Sequence, residues 1–304
     1  MVKRRESTAV QPAGLQDQSK GRSIKRHRVP RFAHLFAKNR GAVIGVLVLL
    51  GWVLIAIFAH KIAPYDPLLT KAPARRPPSA LFWFGTDLLG RDMLSRVLFG
   101  SRISLLLGII SVAFGSVIGT LLGLLAGFYG GKVDAVIMRM IDALLAFPGI
   151  LLALVVIASL GPSIQNVMVA VGVSTVPQYA RLARGSVLSI KELTYVEAAR
   201  VVGCRAGRLM FRHILPNALS PLIVLSTLQV GNAILVGSGL SFLGLGAQPP
   251  TPEWGLMAAG GREVIGKAWW ISTFPGLAIL SVVMACNLAG DGLRAALDPR
   301  MKLD

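Results

Sequence analysis

YVEAARVVGCRAGRLMFRHILPNAL, Tyr195–Leu219, is a polar stretch set among long apolar segments. It carries Glu197, four arginines and His213, and an uncharged run, Asn217–Pro252, overlaps its end and follows it. The chain around it has 304 residues, of which 54% are hydrophobic and only 15% charged. Its mean hydropathy is +0.64. A membrane chain that holds such a stretch between two spans presents a surface to water, and a surface of this kind suits a grip by another protein.

Working outward, the uncharged runs are Ala42–Ala59, Ile103–Tyr129, Ala143–Gly161, Pro162–Ala180, Asn217–Pro252 and Ala268–Gly290. A span needs about 20 apolar residues, so the pattern predicts an all-α, polytopic membrane protein with six transmembrane helices. The fourth run is the most polar, with Ser163, Gln165, Asn166, Ser174, Thr175 and Gln178. Polarity facing lipid is costly, so this helix is expected to face other helices or a water-filled path.

Lys and Arg set the orientation. With the N-terminus inside, the inner segments hold 22 of the 32 basic residues and the outer segments nine, Arg139 lying at a boundary. This excess places both termini and the 181–216 stretch in the cytoplasm. It also accounts for the net charge of +18 without nucleic acid. No apolar signal segment stands near the start. The first residues are basic and polar, and Phe32, Leu35 and Phe36 beside Arg31, Lys38 and Arg40 suit either a short helix at the headgroups or a solvated leader.

Within the second run, Gly115, Gly119, Gly123 and Gly127 recur every four residues. They line one helix face and allow a neighbouring backbone to approach closely, a helix-packing role. Pro148 and Pro275 remove backbone hydrogen bonds and are expected to kink the third and sixth helices.

Nothing points to catalysis. The sequence has no GxxxxGK[ST], HExxH or GxSxG motif. His27, His34, His60 and His213 form no cluster, and Cys204 and Cys286 have no CxxC or Cys/His neighbourhood, which argues against a metal site or a disulfide framework. Arg139 and Asp142, three apart at the inner start of the third run, read as a structural ion pair.

The opening stretch divides into two short helices, 191–202 and 205–214, with Gly203 at the reversal between them, where a residue without Cβ is favoured. Ala198 and Ala199 leave a low surface for a partner backbone, and Pro216 fits the boundary before the fifth span. On spacing alone, an amphipathic helix pair lying on the membrane surface is an equal reading. After Thr86, expected as an N-cap, Asp87/Arg91 and Asp92/Arg96 stand at i,i+4. They predict an amphipathic helix on the outer face, serving as a lid or as a docking surface. Glycines and Pro249-Pro250 are expected to break the fifth helix near its outer end. Irregular backbone there must be buried or line a cavity, which makes Asn232, Ser238 and Ser241 weak candidates for a substrate path.

Glu197-Ala198-Ala199, then Gly203, then Ile214-Leu215-Pro216 resembles the EAA motif of permease subunits of bacterial ATP-binding-cassette importers. His213 stands where that motif usually has isoleucine. FGTDLLGRDMLSRVLFGSR (Phe84–Arg102), MRMIDALLAFPGILLAL (Met138–Leu154), GLSFLGLGAQPPTPEWG (Gly239–Gly255) and NLAGDGLRAALDPRMK (Asn287–Lys302) are similar to the C-type permease subunit of dipeptide, oligopeptide and nickel importers.

The resemblance implies a type I ABC importer permease fold. It divides the chain into a basic tail, 1–40; a first transmembrane helix with an outer loop, 41–101; a permease core of five transmembrane helices with the coupling loop, 102–291; and a cytoplasmic tail, 292–304. It implies a second permease subunit, two cytoplasmic ATPase subunits and an extracytoplasmic solute-binding protein as partners. The chain itself would bind no cofactor, with ATP and Mg held by the ATPases. Glu197, Ala198, Ala199, Gly203, Ile214, Leu215 and Pro216 would couple it to an ATPase. The alternatives are a stand-alone secondary transporter or channel, for which the spans lack midplane charges, and a scaffold or sensor, for which the tails are short.

Overall fold

The computed structural model describes Phe36 and residues 39–297. Of the expected interfacial helix around Phe32–Phe36 only Phe36 is described, and the last residues of the tail, Arg300 and Lys302 among them, lie outside the described residues. Among the described residues the protein is helical, with two isolated β-bridges and no strand.

Helix α1 spans Arg40–Ile62 and is capped by Asn39, whose Oδ1 accepts from the Ala42 amide at 3.2 Å. Two carbonyls of its C-terminal half, Ala56 and Ile57, accept from the Arg102 guanidinium at 2.5 and 3.0 Å. α2 runs unbroken over Met93–Tyr129. At 37 residues it is about 55 Å long, more than a bilayer core requires.

The expected outer amphipathic helix does not form. Thr86 caps nothing; its hydroxyl donates to the Pro73 carbonyl at 2.9 Å and accepts from the Arg76 amide at 2.8 Å. The Asp87 carboxylate accepts from the amides of Leu89 and Arg91 at 2.8 and 2.9 Å, a local turn that competes with helix formation. Gly90 then adopts φ +76° with its Cα against the Ala72 carbonyl, a place only glycine fills. Asp92 is the N-cap of α2, accepting from the Ser95 amide at 2.7 Å. It therefore does not pair with Arg96, which is buried and reaches the Pro67 carbonyl at 3.0 Å and Asp87 at 3.5 Å. The Asp87–Arg91 pair forms, at 2.6 Å, within a loop. Residues expected on a separate outer helix are the first turns of α2, with Met93, Arg96 and Val97 buried.

The third apolar run covers the end of α3 (Gly131–Leu145) and α4 (Gly149–Leu160), a bent pair meeting at 92°. Pro148 is the N-cap of α4 rather than a kink inside one helix. α5, Ile164–Lys191, extends well beyond the fourth run and carries Arg181, Arg184 and Lys191, so the polar island is shorter than 181–216. After α6 (Thr194–Val201) and the single turn α7 (Ala206–Arg208), a π-helical turn, Leu209–Ile214, leads without a break into α8, Leu215–Phe242. Pro216 at the start of α8 has no amide hydrogen, and its ring crowds the preceding turn; a wider turn relieves both. α9 (Trp254–Gly260) and α10 (Trp270–Leu297) complete the chain, with Pro275 inside α10.

Among the described residues, four helices are long and apolar enough to cross a membrane, five if the bent pair counts as one span. α5 has the length, 28 residues, but its polar composition sets it apart from that group.

α2 and α5 share the most extensive helix contact in the fold. The four glycines explain it. A Cβ on Gly119 would lie 2.5 Å from both the Val176 carbonyl and Tyr179 Cβ, and one on Gly127 2.8 Å from Val187 Cβ. Gly115 and Gly123 meet α5 at Thr175 and Ala180 just as closely. α8 packs on both helices, while α1 lies at the periphery on α10 and α2, with few of its side chains buried within the chain.

Candidate functional site

At the end of the bundle where α2 terminates, α6 and the π-turn form a compact cap. Val196, Leu209, Met210 and Ile214 are buried in one cluster with Leu124 of α2 and Val187 of α5. These four contacts tie the polar island to two of the long helices. His213, at the motif's usual isoleucine place, is half-buried, and Ile214 fills the apolar cluster beside it.

Gly203 closes α6 by a hydrogen-bonded reversal. Its amide donates to the Arg200 carbonyl at 3.0 Å, and the Cys204 amide donates to Ala199 at 3.1 Å. This 6→1 and 5→2 pairing demands a left-handed residue after the helix, and Gly203 has φ +87°. A Cβ there would meet nothing within 4 Å, so backbone conformation alone selects glycine.

With Val196 inward, the other face of α6 points away from the protein. Glu197 and Ala198 are exposed, and Val201 and Val202 are 87% and 85% exposed. The Glu197 carboxylate forms no hydrogen bond or ion pair with the described residues. Ala199 differs from its neighbour: it is half-buried and packs inward on the cluster, so Ala198 alone of the pair offers a low outer surface. Leu215 also packs on that cluster, and Pro216 is exposed. Val201 and Val202 escape a motif reading because periodicity marks them as apolar without telling which face is covered.

The Tyr195 hydroxyl joins α6 to the next long helix. It accepts from Asn217 Nδ2 at 2.9 Å and donates to the His213 carbonyl at 3.3 Å, and Asn217 also donates to that carbonyl at 2.7 Å.

Arg139 and Asp142 do not form the expected pair. Asp142 binds Arg181 of α5 at 2.6 Å, and Arg139 is exposed. Nearby, Asp134 of α3 takes Arg184 through two hydrogen bonds, 2.5 and 2.6 Å, and Lys191 donates to the Gly127 carbonyl at 3.2 Å. The charges at this end serve tertiary pairing of α3 and α2 with α5, which spacing along one helix does not reveal.

The weak substrate-path candidates separate. Ser238 and Ser241 are buried at the opposite end of the bundle. Ser238 donates to Glu253 at 3.4 Å, as does Ser104 of α2 at 3.3 Å, and Ser241 accepts from the Ala247 amide at 3.4 Å. Glu253, itself fully buried, caps α9 through the amides of Gly255 and Leu256 at 2.9 and 2.8 Å. Burial pushes its carboxyl above the ordinary range, against the opposing pull of those amides and serines. This cluster ties α9 to α2 and α8. Asn232, by contrast, is exposed on α8 and donates to Gln229 at 3.3 Å. The two cysteines are free thiols, and no group of metal-ligating side chains exists among the described residues.

Comparison with known proteins places these elements. Residues 119–303 match the family described as binding-protein-dependent transport system inner membrane component. Residues 31–78 match the N-terminal TM domain of oligopeptide transport permease C. The chain is 51% identical to the dipeptide transport system permease protein DppC of Escherichia coli (strain K12), over 89% of this chain and 93% of that one. It is 48% identical to a di/tripeptide transport system permease protein of Pseudomonas aeruginosa (strain UCBPP-PA14), over 89% and 92%. It is also 47% identical to a glutathione transport system permease protein of Pectobacterium atrosepticum, over 89% and 91%. Among solved structures, an inward-facing MetNI methionine ABC transporter superposes with a TM-score of 0.55 at 22% identity, over 68% of this chain and 98% of that one, which shows a shared fold. The protein is a multi-pass inner membrane protein, and it belongs to the family of binding-protein-dependent transport system inner membrane components.

Proposed function

We propose that this chain is the membrane-spanning permease subunit of an ATP-driven importer of dipeptides or short oligopeptides. Its partners would be a second permease subunit, two cytoplasmic ATPase subunits that hold the ATP and Mg, and an extracytoplasmic solute-binding protein. The α6 cap is the coupling element. Ala198, Val201 and Val202 seat against an ATPase, Glu197 supplies a polar contact at the rim, and Gly203 sets the reversal that presents them.

The observation that carries this reading is the outward apolar face of α6 on an element locked to the bundle. Exposed valines cost free energy in water, and a rigid mount is what transmits a push. Val196, Leu209, Met210 and Ile214 carry motion to α2 and α5, and Tyr195–Asn217 carries it to α8. ATP-driven closure of the ATPases then favours one arrangement of the bundle, provided that their contact with α6 differs between the two states. Peptide as cargo is supported by the names of the relatives.

The test is uptake of radiolabelled Ala-Ala into proteoliposomes. The full complex with ATP should accumulate peptide, and omission of the ATPases should abolish uptake. Uptake by this chain without ATPases would instead support a stand-alone transporter.

A further inference from the structure

Gln178 lies near the middle of α5, and Gln229 and Asn232 near the middle of α8. Their carboxamides form one ladder: Asn232 Nδ2 donates to Gln229 Oε1 at 3.3 Å, and Gln229 Nε2 donates to Gln178 Oε1. Gln229 is buried between the helices, whereas Gln178 and Asn232 are exposed. The ladder leaves a free donor at one end, Gln178 Nε2, and a free acceptor at the other, Asn232 Oδ1, neither with a partner among the described residues. No charged residue occurs in 161–180 or 217–252.

Two exposed carboxamides at mid-helix are poorly placed against lipid, where an unpaired polar group has no water to bond. One donor and one acceptor, held apart by a bonded amide, are the partners that a peptide carbonyl and a peptide N–H respectively require. A carboxamide reads those atoms regardless of the side chains attached, and without formal charge it does not hold a peptide by its termini. We propose that Gln178 and Asn232 form a peptide-backbone site on the translocation path, Gln178 Nε2 donating to a substrate carbonyl and Asn232 Oδ1 accepting from a substrate N–H. The site would be tolerant of sequence and weak enough to release its cargo.

This inference rests on the peptide-import reading, and the experiment separates the two. The complete transporter, reconstituted with its binding protein, is supplied with Ala-Ala or with its ester analogue alanyl-lactate, which lacks the backbone N–H. Asn232→Leu removes the acceptor and should lower Ala-Ala uptake about tenfold, the loss of one hydrogen bond, while leaving alanyl-lactate uptake unchanged. Gln178→Leu removes the donor and should lower uptake of both. Equal effects of Asn232→Leu on the two substrates, no effect on either, or failure of the variants to assemble with the second permease subunit would each overturn the site. A wild-type complex that imports neither compound overturns the peptide reading, and the site with it.

Discussion

The Tyr195 hydroxyl accepts a hydrogen bond from Asn217 Nδ2 at 2.9 Å and so bridges the exposed helix α6 to the first turn of α8. Both side chains are exposed, and the pair adds a polar strut to the apolar contacts that hold the cap. Tyr195→Phe removes the strut and keeps the ring. Its expected cost is about 1 kcal/mol: ATPases still co-purify, while peptide imported per ATP hydrolysed falls severalfold. An unchanged transport-to-hydrolysis ratio would leave the strut without a role in coupling.

Gly203 tests backbone conformation without sterics. At φ +87° with open space around it, Gly203→Ala costs about 1–2 kcal/mol of left-handed strain and nothing in clashes. The protein should insert and keep its thermal midpoint within a few degrees, while ATPase recruitment weakens. Gly203→Asp should do the same less strongly, because Asp tolerates the left-handed conformation better than Ala. Wild-type ATPase recovery in both variants would show that the reversal is dispensable.

Gly119 and Gly185 offer a contrast on the two most intimately packed helices. Gly119→Leu drives side-chain atoms into the Val176 carbonyl, a backbone group that cannot move aside, and should destabilise by about 1–3 kcal/mol or more. Gly185 has nothing within 4 Å, so Gly185→Ala should stabilise α5 by about 0.5–1 kcal/mol. Thermal unfolding in detergent separates the outcomes: a lower midpoint for the first variant and an equal or higher one for the second.

Much of this was legible in the linear order and some was not. Apolar runs mark helices because a bilayer imposes length, and the glycine spacing marks the α2 face that meets α5. The start of α2 was misplaced because Asp87 bonds its own following amides, an alternative that i,i+4 counting does not weigh. Asp142 lay three residues from Arg139 yet found Arg181 on another helix. The Gly203 reversal was readable because one residue type satisfies it. Which side of α6 is open was not, because that depends on Leu124 and Val187, far away in the chain.

Glu253 makes stability depend on pH. Its carboxyl is held above the ordinary value of 4.5, chiefly by burial, so the folded state retains a proton that the unfolded chain loses. The contribution is fully present below pH 4.5 and is lost as pH rises through the folded-state value. The thermal midpoint should therefore fall as pH is raised across that window. Glu253→Gln, which cannot ionise, should flatten that part of the profile; an identical profile would assign the dependence to other groups.

The central claim is that the outer face of α6 seats an ATPase. Val201 and Val202, almost fully exposed, lie outside the cluster that anchors the cap, so Val201→Asp/Val202→Asp leaves the fold intact. The decisive measurement is the yield of each partner when this double variant is purified from cells expressing the whole transporter. The second permease subunit should be recovered at the wild-type level and the ATPases should be lost. Recovery of the ATPases at the wild-type level would contradict the assignment of α6 as the coupling surface.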